Sequence, residues 1–203
     1  MNITPDTGAS PFSARKVFDK QAGLYAVKIF SGDCYATAQR DEMMVTILGS
    51  CIAACIRDPH AGVGGMNHFL LPGDEDGNPL SATSTRYGAF AMESLINGII
   101  RLGGRKDRLE VKVFGGGNVA NNMNRIGSRN AEFIRKFLKN EGFTALSQDL
   151  EGDLPRRVHY YPATGDVMLR KLRKSDSAGI VSQENDYRSR LSVKPVEGDI
   201  DLF

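Results

Sequence analysis

The apolar residues of this chain come in short runs, which limits its fold to one built from short elements. The longest unbroken run is the six-residue segment 51–56, far below the roughly 20 residues that a membrane-spanning helix needs. Glycine, proline and small polar residues separate the runs, which is typical of a domain built from short strands and turns. At 203 residues the chain is long enough for one domain with its own core.

We predict three regions along the chain. Residues 1–22 have no hydrophobic period and no apolar centre, so we expect a mobile lead-in without a secretory signal. Residues 23–174 carry the periodic apolar segments and form the expected main domain. Residues 175–203 turn polar and are expected to be a tail that ends on Ile200, Leu202 and Phe203.

The main domain is predicted to be α/β, with about eight strands and two helices. Apolar residues at helical spacing indicate helices over 87–102 and 131–141, the second with Asn130 as its N-cap. The remaining apolar segments have strand composition: 24–30, 43–48, 51–56, 63–71, 111–114, 144–150, 158–161 and 167–172.

The net charge and the number of cysteines argue against two classes of protein, nucleic-acid binders and disulfide-rich secreted domains. The chain has 26 basic and 24 acidic residues, a net charge of +2, which argues against a dedicated nucleic-acid binder. Three cysteines are an odd number and too few for a disulfide framework. We therefore expect a reduced, cytoplasmic protein.

Cys51 is the first candidate for chemistry, because it stands at a turn directly after a predicted strand. The segment is Thr46-Ile47-Leu48-Gly49-Ser50-Cys51. A sharp turn at Gly49 and Ser50 would expose backbone N–H groups beside the thiol, and such groups stabilise both a thiolate and an oxyanion. The alternative is a small buried core residue, which is the commoner role of a lone cysteine.

His68 is the histidine best placed to reach Cys51. It lies in the strand predicted to return from a hairpin, so the two residues could form a Cys–His pair. Such a pair would lower the thiol pKa from about 8.5 towards 7. The alternative is a core histidine bonded to backbone. His60 is expected in an exposed turn, and His159 beside a cross-strand neighbour in a distant hairpin.

A zinc site is a second interpretation of the same residues. Cys51 and Cys55 have C-x3-C spacing, followed by His60 and His68. Cys55 lies inside an apolar run and no second paired ligand motif follows, so we expect no metal. Cys34 follows a polar turn and is expected to be exposed, with no histidine near it in sequence.

Two glycine-containing segments invite a ligand-binding interpretation. Gly115-Gly116-Gly117 follows a predicted strand but lacks the residues of a phosphate-binding loop, so a tight turn with close backbone packing is favoured. In the segment 126–130, Arg129 or Asn130 could bind a substrate carbonyl, although helix capping explains Asn130 without any function.

Taken together, these segments resemble the CheD family of chemoreceptor glutamine deamidases. The resemblance covers roughly residues 24–172. The matching segments are Leu48-Gly49-Ser50-Cys51, Arg57-Asp58-Pro59, Gly65-Met66-Asn67-His68-Phe69-Leu70-Leu71-Pro72, the triple glycine and Ile126-Gly127-Ser128-Arg129-Asn130.

The resemblance implies a layered α/β/β/α cysteine hydrolase fold with mixed sheets, and conversion of receptor glutamines to glutamate. It implies Cys51 as nucleophile, His68 as acid and base, Thr46 as the residue that orients the imidazole, and an oxyanion site at Gly49 and Ser50. No metal or organic cofactor is needed. The implied partners are methyl-accepting chemoreceptors and, in some bacteria, the CheC phosphatase; neither nucleic acid nor membrane insertion is implied.

Two rival functions share the same sequence features. A transglutaminase or thiol protease would use the same nucleophile. A non-catalytic adaptor would bind the phosphatase or the receptors through its surface, and would keep that binding when Cys51 is replaced.

Overall fold

Two stacked five-stranded sheets form the body of the protein. The structure is a computed structural model that describes residues 15–72, 82–119 and 126–193. Within these ranges it has ten strands and three α-helices. The strands are β1 Lys16–Asp19, β2 Leu24–Lys28, β3 Cys34–Thr37, β4 Glu42–Leu48, β5 Ile52–Asp58, β6 Val63–Asn67, β7 Glu110–Gly115, β8 Ala145–Leu150, β9 Arg156–Tyr160 and β10 Val167–Lys171. The helices are α1 Ala82–Arg101, α2 Ile126–Asn140 and α3 Ser177–Val193.

Both sheets are mixed. The first has the strand order β1-β2-β4-β9-β10, with β2 and β4 parallel and the other neighbours antiparallel. The second has the order β3-β6-β5-β7-β8, with only β7 and β8 parallel. The chain passes from the first sheet to the second between β4 and β5, at residues 49–51.

Strand β5 supplies both cores because its residues alternate between the two faces of the second sheet. Ile52, Ala54 and Ile56 pack with α1 and α2 on one face. Ala53 and Cys55 pack on the other face, against the first sheet. All five are buried, as the continuous apolar run requires, and each isoleucine contributes about 1.5–3 kcal/mol of burial free energy.

Helices α1 and α2 cover the same face of the second sheet. Helix α2 buries a stripe that includes Ile134 and Phe137, and Phe133 packs edge-on against Phe69. Gly142, with φ 74°, ends the helix as expected. The α/β class with two mixed sheets is thus confirmed, and in the described ranges α1 and α2 form one helical layer.

Three elements lie where the sequence predicted none. Strand β1 pairs with β2 inside the expected lead-in, so the first sheet begins before residue 22. The exposure predicted for Cys34 is wrong: after the polar turn Cys34 begins β3, is half-buried, and has its pKa raised to about 11 by burial. Helix α3 occupies the expected tail, whereas the apolar end at 200–203 lies outside the described residues.

None of the helices in the described ranges combines the length and the hydropathy that a membrane span requires.

Candidate active site

Cys51 lies where the chain crosses from one sheet to the other. Strand β4 ends at Leu48, Gly49 and Ser50 form the turn, and Cys51 directly precedes β5. The Cys51 side chain is completely buried between the sheets. The sequence therefore predicted the local geometry of this segment correctly: a strand, a glycine turn and then the cysteine.

The triple glycine at residues 115–117 packs against this turn and forms backbone hydrogen bonds with it. The N–H of Gly116 donates to the Cys51 carbonyl at 2.8 Å, and that of Gly117 donates to the Gly49 carbonyl at 2.8 Å. Gly115 has φ 117°, and a Cβ there would lie 2.0 Å from the Cys51 carbonyl oxygen. Only glycine fits this approach, and the segment is the closely packed turn that the sequence favoured.

His68 follows the end of β6 rather than lying within a strand, which corrects the prediction of a strand over 63–71. Its Nδ1 is 2.8 Å from the hydroxyl oxygen of Thr46, on β4 of the other sheet. The Thr46 hydroxyl donates its single hydrogen to the carbonyl of Ile29 at 2.7 Å. Oγ1 of Thr46 therefore accepts from Nδ1–H, which leaves Nε2 of a neutral imidazole free to accept a proton.

Ser31 connects His68 to Cys51. Its hydroxyl oxygen lies 3.1 Å from His68 Nε2 and 3.7 Å from Cys51 Sγ. Among the described residues no hydrogen bond joins the imidazole directly to the thiol, so the expected pair is bridged. Sequence reasoning missed Ser31, which lies in a polar turn after β2 and carries no recognisable motif.

The N–H groups of the turn converge on one carboxylate. Gly49, Ser50 and Cys51 donate backbone hydrogen bonds of 3.0, 3.0 and 3.2 Å to Glu184 of α3. The Ser50 hydroxyl donates to the same carboxylate at 2.6 Å. The structure thus brings Gly49 and Ser50 together with Cys51 as an anion-binding cradle, and α3 fills it.

Burial and the neighbouring carboxylate set the charge state of the site. Burial raises the pKa of the Cys51 thiol well above its usual range, and Glu184 raises that pKa further through its charge and hydrogen bonding. Burial also lowers the pKa of His68, against the opposing charge of Glu184. In this conformation the pair is therefore a neutral thiol and a neutral imidazole, not the ion pair that a lowered thiol pKa would give.

Asn130 connects the turn to α2. Its side-chain NH2 donates to the Ser50 carbonyl at 2.7 Å, and its oxygen accepts from the Leu71 N–H at 3.0 Å. Asn130 is fully buried and lies inside α2, so the predicted capping role is wrong. Its amide instead fixes the turn before Cys51 relative to the segment after His68.

The other residues considered for chemistry lie apart from this cluster. Cys55 packs in the core between the sheets, His60 is exposed in the turn after β5, and His159 lies on β9 opposite Met168. Throughout the described ranges no three His, Cys, Asp or Glu side chains are arranged to hold a metal ion.

Comparison with known proteins relates this chain to one family. A family model described as CheD chemotactic sensory transduction matches residues 70–171. A probable chemoreceptor glutamine deamidase CheD from Rhodopseudomonas palustris (strain BisA53) is 50% identical over 97% of this chain and 93% of its own length. A probable chemoreceptor glutamine deamidase CheD 1 from Dechloromonas aromatica (strain RCB) is 47% identical over 94% of this chain and 95% of its own.

Among solved structures, the Neisseria meningitidis protein NMB0706, of the DUF152 family, superimposes on 65% of this chain and 64% of its own, with a TM-score of 0.41 and 8% identity. That likeness is too slight to bear on activity. The family model matches half of the chain and the two relatives align with nearly all of it, and together they establish that this chain belongs to the CheD family.

Proposed function

We propose that this chain is a chemoreceptor glutamine deamidase that uses Cys51 as nucleophile and His68 as acid and base. One observation carries the proposal: the hydrogen-bonded series Thr46, His68, Ser31 and Cys51 ends beside three convergent backbone N–H donors. The names of relatives that are about 50% identical supply the substrate, a chemoreceptor glutamine.

The first step is attack of the Cys51 sulfur on the side-chain amide carbon of glutamine. The thiol proton passes through the Ser31 hydroxyl to Nε2 of His68, which the Thr46 contact leaves unprotonated in the neutral ring. Because the resting pair is neutral, proton transfer accompanies attack rather than preceding it. Thr46 holds the ring in this tautomer, the role of the third member of a triad.

The negative charge that develops on the amide oxygen needs hydrogen-bond donors at a fixed place. The backbone N–H groups of Gly49 and Cys51 both donate to one oxygen of the Glu184 carboxylate, Oε1, and that of Ser50 donates to the other, Oε2. Two donors that already converge on one anionic oxygen support the use of this turn as the oxyanion site. The triple-glycine turn keeps them in place, because its own N–H groups bind the carbonyls of Gly49 and Cys51.

The intermediate then collapses. The carbon–nitrogen bond breaks, the imidazolium of His68 gives its proton to the departing amine, and ammonia leaves behind a thioester on Cys51. His68 next removes a proton from a water molecule, which attacks the thioester carbon. The carbon–sulfur bond breaks, the sulfur recovers a proton, and the product is a glutamate side chain.

The surroundings of Cys51 favour a glutamine presented by a protein over free glutamine. The described residues that line the space beside the turn include Ser50, Asn118, Val119, Ile126 and the carboxylate of Glu184, and none of the lining side chains is a cation that could pair with a substrate carboxylate. A free amino acid would bring a carboxylate and an ammonium group that need partners, and burying them without partners is costly. A glutamine side chain on a receptor has neither charge.

The decisive experiment incubates a receptor cytoplasmic fragment with the protein and maps glutamine-to-glutamate conversion by mass spectrometry. Cys51→Ala should abolish conversion. Cys55→Ala, a matched control at a buried cysteine of the same strand region, should retain it. Free glutamine, followed by ammonia release, should be a far poorer substrate. Receptor binding without conversion by the wild-type chain would instead identify the adaptor alternative.

We also propose a location, a partner and domain bounds for the enzyme. All three cysteines are free thiols, which fits a reducing compartment, so we place the activity in the cytoplasm. The CheC phosphatase stays a predicted partner, and we take the deamidase domain to include β1 and α3 as well as residues 23–174.

A further inference from the structure

Helix α3 places a glutamate side chain in the oxyanion site. Glu184 is 5% exposed, and its carboxylate accepts the three backbone hydrogen bonds of the turn and that of the Ser50 hydroxyl. An added Cβ at Gly49 would lie 3.0 Å from the Glu184 carboxylate, so glycine at this position leaves room for it. Glu184 is 133 positions after Cys51 in the sequence.

The chemistry of this side chain matches the reaction. Deamidation of glutamine yields glutamate, so Glu184 is chemically the side chain of the reaction product, held on a helix. Oε1 of the same carboxylate lies 3.2 Å from the backbone nitrogen of Cys51, and its negative charge raises the pKa of the Cys51 thiol. Glu184 therefore occupies the place that the amide of a substrate glutamine must take.

The same face of α3 covers the rest of the site. Val181, one turn before Glu184, lines the space beside Ser50 and Gly117. Tyr187, one turn after it, packs on Gly32, and its hydroxyl lies 2.5 Å from that of Tyr87. The space left under the helix is about 10 Å³, room for about one water molecule.

The contact between α3 and the rest of the protein is polar, and not all of its buried polar atoms are hydrogen-bonded to described residues. Of the described side chains of α3 only Ser177 and Glu184 are buried, whereas Ala178, Ser182 and Gln183 are exposed. Among the described residues, the buried oxygens Ser177 Oγ and Asn185 Oδ1 find no hydrogen-bond partner, which disfavours the seated state. A helix that buries two side chains and is seated through the Glu184 carboxylate and the Tyr187 hydroxyl can exchange with a competing helix.

We propose that α3 is a tethered product mimic seated in the substrate site, and that a receptor helix bearing a glutamine displaces it for turnover. This inference rests on the proposed deamidase function. It assigns the surface under α3, lined by Gly32, Ser50, Tyr87, Gly117 and Val119, as the docking surface for a helix.

Replacement of Glu184 tests the competition. In Glu184→Ala we expect two rates to rise about tenfold above the wild type: alkylation of Cys51 by iodoacetamide, and deamidation of a receptor fragment. The loss of one hydrogen bond to a charged group is worth about that factor in the equilibrium between the seated and the displaced helix. Glu132→Ala removes an exposed glutamate of α2, outside the site, and should leave both rates unchanged.

A second variant tests the placement of the side chain. In Glu184→Gln the new amide lies on the oxyanion donors, and we expect the protein to convert it back to glutamate with release of ammonia. Peptide mapping detects the conversion by its mass. Gln183 is the adjacent, exposed control and should keep its amide. Adding Cys51→Ala should abolish conversion at position 184, since the nucleophile is then missing.

The outcomes separate this inference from the proposed function. If the wild-type chain deamidates a receptor fragment, yet Glu184→Ala changes neither rate and Glu184→Gln keeps its amide, the inference about α3 is overturned and the function stands. If neither the wild type nor Glu184→Ala converts any receptor glutamine while Cys51 alkylates faster in the variant, α3 covers the thiol but the deamidase proposal fails.

Discussion

Replacement of Thr46 by valine is the sharpest test of the proposed triad. Valine keeps the shape of the side chain and removes only the hydroxyl, which accepts from His68 Nδ1–H and donates to the Ile29 carbonyl. Because the site is buried, water cannot replace these contacts easily. We expect a folded protein whose imidazole is no longer held in the productive tautomer.

The size of the effect follows from the charge that forms on the ring. As an imidazolium, His68 donates a charge-assisted hydrogen bond to Thr46, and such a bond is worth about 1.5–3 kcal/mol. Since about 1.36 kcal/mol is a factor of ten in rate, kcat/KM should fall about 10- to 100-fold. The smaller loss applies if the nearby Ile29 carbonyl accepts the hydrogen bond from the His68 ring in place of Thr46. Thr46→Ser keeps a hydroxyl and should lose far less.

The assay is deamidation of a receptor fragment by each variant, with thermal unfolding measured alongside. Thr37→Val is the matched control. Thr37 is also buried and its hydroxyl accepts from the Gln39 N–H at 3.0 Å, but it lies opposite Gly64, at the end of β6 remote from His68. If Thr46→Val keeps the wild-type kcat/KM, or falls no further than Thr37→Val does, Thr46 has no role in orienting the imidazole.

Three further outcomes follow from the same contacts. Ser31→Ala removes the bridge between thiol and imidazole and should slow deamidation about tenfold or more; an unchanged kcat/KM would mean that the proton moves directly. Asn130→Ala leaves the Ser50 carbonyl and Leu71 N–H buried without partners, so the free energy of unfolding should drop by about 1–3 kcal/mol per group and activity should fall with it; wild-type values of both would contradict this. Burial lowers the pKa of the His68 imidazole in the folded protein below 6.5, so as the pH falls the imidazole is protonated in the unfolded chain first. Tm should therefore decrease below pH 6.5, and it should decrease less in His68→Asn than in the wild type. Identical profiles of Tm against pH for the two proteins would refute this prediction.

The sequence was most informative where a residue pattern and a local geometry coincide. The strand, glycine turn and cysteine at 46–51 were predicted together because each element has its own signal in adjacent residues. The helices over 82–101 and 126–140 were found from apolar spacing, although both begin several residues earlier than predicted. Helix starts are set by caps and tertiary contacts, which spacing does not report.

The sequence was least informative where a role depends on contacts between distant segments. Ser31 and Glu184 are ordinary polar residues in polar stretches, and only the packing of β2 and α3 against the turn brings them to Cys51. Asn130 was interpreted from its place near a helix start, but its amide binds Ser50, 80 positions earlier. Strand β3 was missed because it is a short, half-buried edge strand whose pairing with β6 has no local signal.

The crossing of the chain at residues 49–51 ties catalysis to the mutual docking of the two sheets. Thr46 belongs to the first sheet, whereas Cys51 and His68 adjoin strands of the second. An intermediate in which both sheets keep their strands but slide apart would separate the imidazole from Thr46 and would be inactive. Loss of activity in urea should therefore share one midpoint with loss of secondary structure when unfolding is two-state, and should precede it when the sheets undock first. Deamidation would then serve as a sensor of sheet docking, sensitive to a partly unfolded state that circular dichroism alone would record as native.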